Sequence, residues 1–218
     1  MVSIGKTFRW KRDKMKLILA SQSPRRQEIL SKLKIVHSVE KSDVNENEII
    51  EKNACRSISE RIRLLSYEKA NEVAKKHWNE KKLVLGADTV VVQSNIIYGK
   101  PNNEEEMKEM LAAFSGKMHQ VMTAVTMINT STCQAETTVE CTKVLFRLLN
   151  EQEMDWYLKN AHYDDKAGGY AIQEEGALLV KSIEGCYYNV VGLPIHATLR
   201  LFERFQLSLT DFQEQEID

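Results

Sequence analysis

Short apolar runs alternate with amphipathic stretches along most of the chain. Leu17, Ile18 and Leu19 form the first run, fit for a buried strand. Ser21, Gln22 and Ser23 break it, and Pro24 stands where a helix would begin, with Ser23 as its cap. Ile29, Leu30 and Leu33 continue that helix, and Ile35–Val39 reads as a second strand. Residues 42–53 are polar and acidic and read as a mobile loop. From Ser57 to Trp78, the residues Ile58, Ile62, Leu65, Val73 and Ala74 recur at helical spacing. Leu83–Val92 is a valine-rich strand that Gly86-Ala87-Asp88-Thr89 interrupts, and Ile96–Tyr98 is a short return strand. Asn103 caps a helix with three glutamates in its first turn, which suits the helix dipole.

Gln120–Ile128 and Gln134–Leu148 are rich in Val and Thr around a polar turn, which predicts a long hairpin. Asn150 and Glu153 form a capping box for a helix through Trp156 and Leu158. Leu178–Ser182 and Tyr187–Val191 read as strands, Pro194 opens a last helix, and the acidic tail past Thr210 reads as disordered. Strands and helices alternate at both ends around a central hairpin. The pattern predicts an α/β fold, a mixed sheet with helices on its faces, split into two lobes around a cleft. The expected organisation is a flexible extension at 1–14, one domain over 15–207, and an acidic tail at 208–218.

Composition narrows the function. The chain has 218 residues, is 43% hydrophobic and carries a net charge of −1, so it has neither a global basic field for nucleic acid nor a polybasic membrane patch. No apolar run approaches a membrane span. Cys55, Cys133, Cys141 and Cys186 show neither metal spacing nor a dense disulfide framework, which favours a reducing cytoplasm. The histidines form no metal-binding pair.

The candidate chemistry sits at element ends. Arg25 and Arg26 occupy a first helical turn, where the dipole disfavours cations. An anion would relieve this: free N–H groups, the Ser21 and Ser23 hydroxyls and two guanidiniums facing one phosphate. A solvated arginine pair on a surface helix is an equally good reading of the residues alone. Asp88 follows a buried strand, where a carboxylate is costly without a cation or a catalytic duty, although bonding to loop amides is the commoner explanation. Lys69 lies on the long helix, and Pro101 biases Lys100 toward an extended backbone. Both lysines have ordinary solvated readings. In the segment 164–173, two adjacent glycines permit close approach to a ligand, and the Gln173 amide offers a donor and an acceptor suited to a uracil-type edge. On the residues alone, a surface loop before an edge strand is the default reading of this segment. Ser115–His119 reads as a structural corner rather than a catalytic histidine. The chain has no Walker motif, no dinucleotide fingerprint after a strand and no nucleophile elbow.

Seven segments together resemble the Maf family of nucleoside triphosphate pyrophosphatases. They are Leu-Ala-Ser-Gln-Ser-Pro-Arg-Arg at 19–26, Glu-Lys-Ala at 68–70, Gly-Ala-Asp-Thr-Val at 86–90, Gly-Lys-Pro at 99–101, Ser-Gly-x-x-His-x-Val at 115–121, Asp-Lys-Ala-Gly at 165–168 and Val-Val-Gly-Leu-Pro at 190–194. The resemblance implies an elongated, twisted mixed β-sheet flanked by helices, related to the inosine triphosphate pyrophosphatases, and a homodimer. It implies hydrolysis of a nucleoside triphosphate to the monophosphate and pyrophosphate with Mg²⁺ or Mn²⁺. The family's proton acceptor falls on Asp88, and its specificity positions fall on Arg25, Thr89 and Gln173. Substrate contacts are expected from Ser21, Ser23, Arg25, Arg26, Lys69, Thr89, Lys100, Asp165, Lys166 and Gln173, and metal contacts from Asp88 and Glu46. The 165–173 segment resembles the branch acting on dTTP and UTP. Alternatives are a pyrophosphatase for CTP or 7-methyl-GTP, and a nucleotide-binding regulator of cell division with little turnover. Two departures stand out. Gly169 and Ala171 exchange small residues, and Glu174 replaces a glycine, which is a strained choice if that position needs a positive φ.

Overall fold

A computed structural model describes residues 15–213. The elements run β1 (Lys16–Leu19), α1 (Pro24–Lys32), β2 (His37–Val39), α2 (Glu46–Lys52), α3 (Ile58–Lys75), β3 (Lys82–Gln93), β4 (Ile96–Tyr98), α4 (Glu104–Phe114), β5 (Met118–Asn129), β6 (Ala135–Phe146), α5 (Glu151–Asn160), β7 (Val180–Glu184), α6 (Tyr187–Val191) and α7 (Ile195–Arg204). Short 3-10 turns lie at Ala167–Gly169, Glu175–Leu178 and Leu209–Phe212. The strands form one seven-stranded mixed sheet in the order β2-β1-β3-β5-β6-β7, with β4 added beside β3. β1 is parallel to β2 and β3, and the remaining pairs are antiparallel.

β3 is the spine. Its side chains alternate between two buried faces, so the strand reads as a continuous apolar run rather than as apolar/polar alternation. Leu83, Leu85 and Ala87 join α1 and α7 in one core cluster, and Val91 joins α4 and α5 in a second. Val84 on the opposite face packs under the C-terminal half of α3, and Val90 and Val92 pack under its N-terminal half. Gly86 does not interrupt the strand. A Cβ there would come within 2.7 Å of the Ser66 carbonyl oxygen, so the glycine lets α3 press onto the sheet.

Along the edge of β3 away from β5, β1 pairs only through Leu85 and β4 pairs only from Val91. Residues 86–90 between them have no strand partner on that edge. The gap in strand pairing on this edge falls on Gly86-Ala87-Asp88-Thr89-Val90.

Three elements differ from the sequence reading. Residues 46–52 form α2 rather than a loop; Asn45 caps it by accepting from the Glu48 N–H, and the helix buries no residue, so no apolar period announced it. Tyr187–Val191 forms α6 rather than a strand. Its Asn189 amide donates to the Val121 carbonyl and the Thr142 hydroxyl, and these bonds to β5 and β6 override the β-propensity of its aromatic and branched residues. The chain past Thr210 is held at least to Gln213. Phe212 is buried against Phe202, and its carbonyl accepts the Val36 N–H at 2.7 Å. The expectations for residues 1–14 and for the end of the tail lie outside the described residues.

The corner histidine is structural. His119 is 1% exposed, ringed by Phe114, Phe146 and Tyr170, and bonded through Nε2 to the Tyr170 hydroxyl at 2.8 Å. Burial pushes its pKa down from 6.5 to about 4. The folded chain thus refuses a proton that the unfolded chain accepts. This contribution is intact above pH 6.5 and is lost as pH falls toward 4. Urea unfolding should show a loss of about 2 kcal/mol from this group between pH 7 and pH 5. The His119→Phe variant should lack that part of the slope. An unchanged slope in the variant would contradict the assignment.

Candidate active site

The gap places Asp88 and Thr89 on opposite faces of β3, and each face is answered by a different basic group. Asp88 lies toward α3. It is 6% exposed, a burial that a carboxylate tolerates only with a close counter-charge. Lys69 supplies it. Its Nζ lies 2.6 Å from Asp88 Oδ1 and 2.9 Å from Glu46 Oε1, so one ammonium joins two carboxylates from β3 and α2. Lys69 lies just under one turn past Ser66, on the same face of α3; the Ser66 hydroxyl donates to the Gly86 carbonyl and fixes the height of α3 over the strand. Asp88 Oδ2 makes no hydrogen bond among the described residues.

Thr89 lies toward α1 and α6. Its hydroxyl accepts from Arg26 Nη2 at 3.1 Å and bonds the Thr123 hydroxyl at 2.9 Å. Arg26 also donates through Nε to the Gly192 carbonyl at 2.8 Å and through Nη1 to Ser21 Oγ at 3.0 Å. Its guanidinium is tied to β3, to the turn after β1 and to the end of α6. Burial lowers its pKa, with Arg25 acting the same way, while Asp88 and Glu46 oppose the shift. The charge persists regardless, because an arginine does not deprotonate in a protein. Thr89 follows Asp88 directly on β3, so the acids and the arginine corner meet the same unpaired stretch of the strand.

Arg25 reaches the other way across the gap. Its Nη1 lies 3.2 Å from Asp165 Oδ2, an ion pair between residues 140 positions apart. Lys166 is 4% exposed; its ammonium contacts Asp165 at 2.7 Å and Glu174 at 3.2 Å and donates to the His162 carbonyl. Burial pushes the Asp165 carboxyl up, but Lys166 and Arg25 outweigh it and hold the group below the usual carboxylate range. The segment is docked by the Gly168 N–H, which donates to the Gly99 carbonyl at 2.8 Å. Gly168 has φ of 68°, and a Cβ there would lie 2.7 Å from Val91 Cγ2, so the turn sits directly on β3.

The expected residues thus fall into contact in part. Ser21, Arg26 and Thr89 form one set, Glu46, Lys69 and Asp88 a second, and Arg25, Asp165 and Lys166 a third. Ser23 caps without its side chain; its N–H instead donates to Ser21 Oγ at 3.2 Å. Lys100 and Gln173 are exposed and have no side-chain partner among the described residues. Glu174 has φ of −117°, so it is unstrained, and its carboxylate serves Lys166. Thr123, Asn189 and the Gly192 carbonyl were missed in the sequence. Their one signal was a threonine inside the valine-rich stretch of β5, a polar group that must find a partner when buried.

A family profile described as Maf-like protein matches residues 16–205. A dTTP/UTP pyrophosphatase of Acetivibrio thermocellus is 42% identical over 200 residues, covering 89% of this chain and 98% of the relative. Proteins of the same name from Clostridium perfringens and Bacillus cereus are 40% and 42% identical over 195 residues, covering 89% of this chain and 100% and 98% of theirs.

The Arg26–Thr89 bond makes a measurable demand. Thr89→Val should leave a half-buried guanidinium N–H unpaired and cost about 1–3 kcal/mol in urea unfolding. Thr89→Ser, which keeps the hydroxyl, should recover most of it. A valine variant as stable as the parent would contradict the strut.

Proposed function

The chain belongs to the Maf family, and from that premise we propose that it is a nucleoside triphosphate pyrophosphatase that hydrolyses dTTP and UTP to the monophosphate and pyrophosphate. The observation that carries this is the gap in β3, which sets one buried acid between two cationic walls. Products of this kind require cleavage of the α–β anhydride, a reaction that consists mostly of positioning and charge stabilisation.

Arg25 and Lys69 attract the triphosphate, with Lys100 free to join from the β4 side. Ser21 and the first-turn N–H groups of α1 offer further donors. Arg26 acts from beneath, holding Ser21 and Thr89 in place. Asp88 is the proton acceptor. In the nucleotide-free chain Lys69 pairs with its Oδ1, and Oδ2 is left to take a proton from the attacking water as the bond to pyrophosphate breaks.

Asp88 and Glu46 would hold Mg²⁺ or Mn²⁺. The fit is sound: two carboxylates converge on one point, which the Lys69 ammonium marks at 2.6 and 2.9 Å. One or two carboxylates plus substrate phosphates suit a hard divalent cation, and among the described residues no cluster of three or more protein ligands offers a closed cage. Such a cation supplies charge neutralisation at the phosphate oxygens.

Gln173, exposed beside the 165–168 turn, reads the pyrimidine edge, where a uracil ring offers an N–H flanked by carbonyls. No helix among the described residues is long and apolar enough to cross a membrane. Four free cysteines support a reducing cytoplasm, and the family supports a homodimer.

Pyrophosphate release should be measured with dTTP, UTP, CTP and 7-methyl-GTP, each with Mg²⁺ or Mn²⁺. UTP and dTTP should lead. Asp88→Asn should lower kcat by at least about a hundredfold while nucleotide binding survives. Gln173→Ala should shift the ranking of bases more than the rate on the best one. Binding without release from any nucleotide would instead support a nucleotide-binding regulator.

A further inference from the structure

Four charged side chains form an unbroken line from the phosphate corner to the residue after Gln173. Arg25 meets Asp165 at 3.2 Å, Asp165 meets Lys166 at 2.7 Å, and Lys166 meets Glu174 at 3.2 Å. The members differ in burial. The Lys166 side chain is 5% exposed and cannot leave its carboxylates cheaply, whereas the Asp165 side chain is 52% exposed. Arg25 lies between, at 20%. The line therefore has a fixed end at Lys166 and a loose joint at Arg25–Asp165.

A carboxylate repels a phosphate, so direct contact of Asp165 with a triphosphate is unfavourable. The geometry gives it another task. We propose that Asp165 is a stand-in anion that occupies Arg25 in the nucleotide-free enzyme, and that a substrate phosphate takes Arg25 from it. The released Asp165 stays with Lys166, whose charge Glu174 shares. Asp165 and Glu174 are thus positioning residues that set the cost of recruiting Arg25, and neither touches the reacting atoms. The inference rests on the reading that Arg25 binds phosphate.

The exchange trades a singly charged, half-exposed carboxylate for a polyanion. Its cost is small, because exposed ion pairs are weak, but it falls entirely on binding. Glu174 strengthens the competitor: it draws on the Lys166 ammonium and leaves Asp165 less fully neutralised. Without the Glu174 charge, Lys166 should hold Asp165 more tightly and Arg25 should be easier to recruit.

The test compares the parent with Asp165→Asn and Glu174→Gln at low salt. KM for UTP should fall by about three- to tenfold in Asp165→Asn, with kcat retained, and by a smaller factor in Glu174→Gln. The double variant should match Asp165→Asn alone, because both changes act through one joint. Calorimetry with inorganic pyrophosphate should show Kd falling in parallel, and the difference should shrink in 0.5 M salt as the joint is screened. Unchanged or raised KM and Kd in an Asp165→Asn protein that melts with the parent would overturn the proposal. If the parent released no pyrophosphate from UTP, the assigned activity would fail. The pyrophosphate titration would still decide whether Asp165 competes for Arg25.

Discussion

A carboxylate buried in the middle of a sheet has to be answered by a cation, and much of this molecule is arranged around that requirement. Asp88 lies on β3, where the strand has lost one neighbour and not yet gained the next. Water does not reach it freely, so Lys69 must. The ammonium is delivered by α3, whose height over the strand is set by the glycine at 86 and the Ser66 hydroxyl. Neutralising Asp88 and Glu46 with one lysine leaves a cluster with net negative charge, which invites a further cation. On the proposed reading, the cationic surroundings supplied by Arg25 and Arg26 keep the same region attractive to phosphates. These opposing demands are what a site for a metal-bound polyphosphate has to reconcile.

The strand's two-residue period does the rest. Adjacent residues on β3 face opposite layers, so Asp88 and Thr89 connect different helices to the same point. Thr89 binds the Arg26 guanidinium, which also fixes the ends of β1 and α6. The consequence is a corner with little freedom to reorganise, next to a 165–168 turn held by Gly168 and Lys166. Rigidity on one side and an exposed ion pair on the other give the gap one wall that is set and one that can exchange partners.

Much of this was legible in the residues, and the exceptions have physical reasons. The long helix, the hairpin and the capped α4 and α5 declare themselves because period and cap agree. Helix α2 does not, because it buries nothing. Helix α6 reads as a strand because Tyr, Val and Val favour one, and only bonds from Asn189 to two distant strands decide otherwise. The strand through Asp88 reads as broken because a glycine and an acid normally end a strand. Here both are forced by neighbours that only the tertiary structure supplies. Arg25 and Arg26 read as twins, yet Arg26 braces Ser21, Thr89 and Gly192 while Arg25 pairs with Asp165. That distinction depends on residues 140 and 166 positions away, which no local pattern encodes.

The most direct test is a crystal structure with Mg²⁺ and a non-hydrolysable dUTP analogue bearing an imido bridge between the α and β phosphates. The account predicts phosphates in the gap beside residues 86–90, contacting Arg25 and Lys69, with the cation on Asp88 and Glu46. Phosphates bound elsewhere, with Lys69 still seated between its two carboxylates and no cation at Asp88, would contradict it.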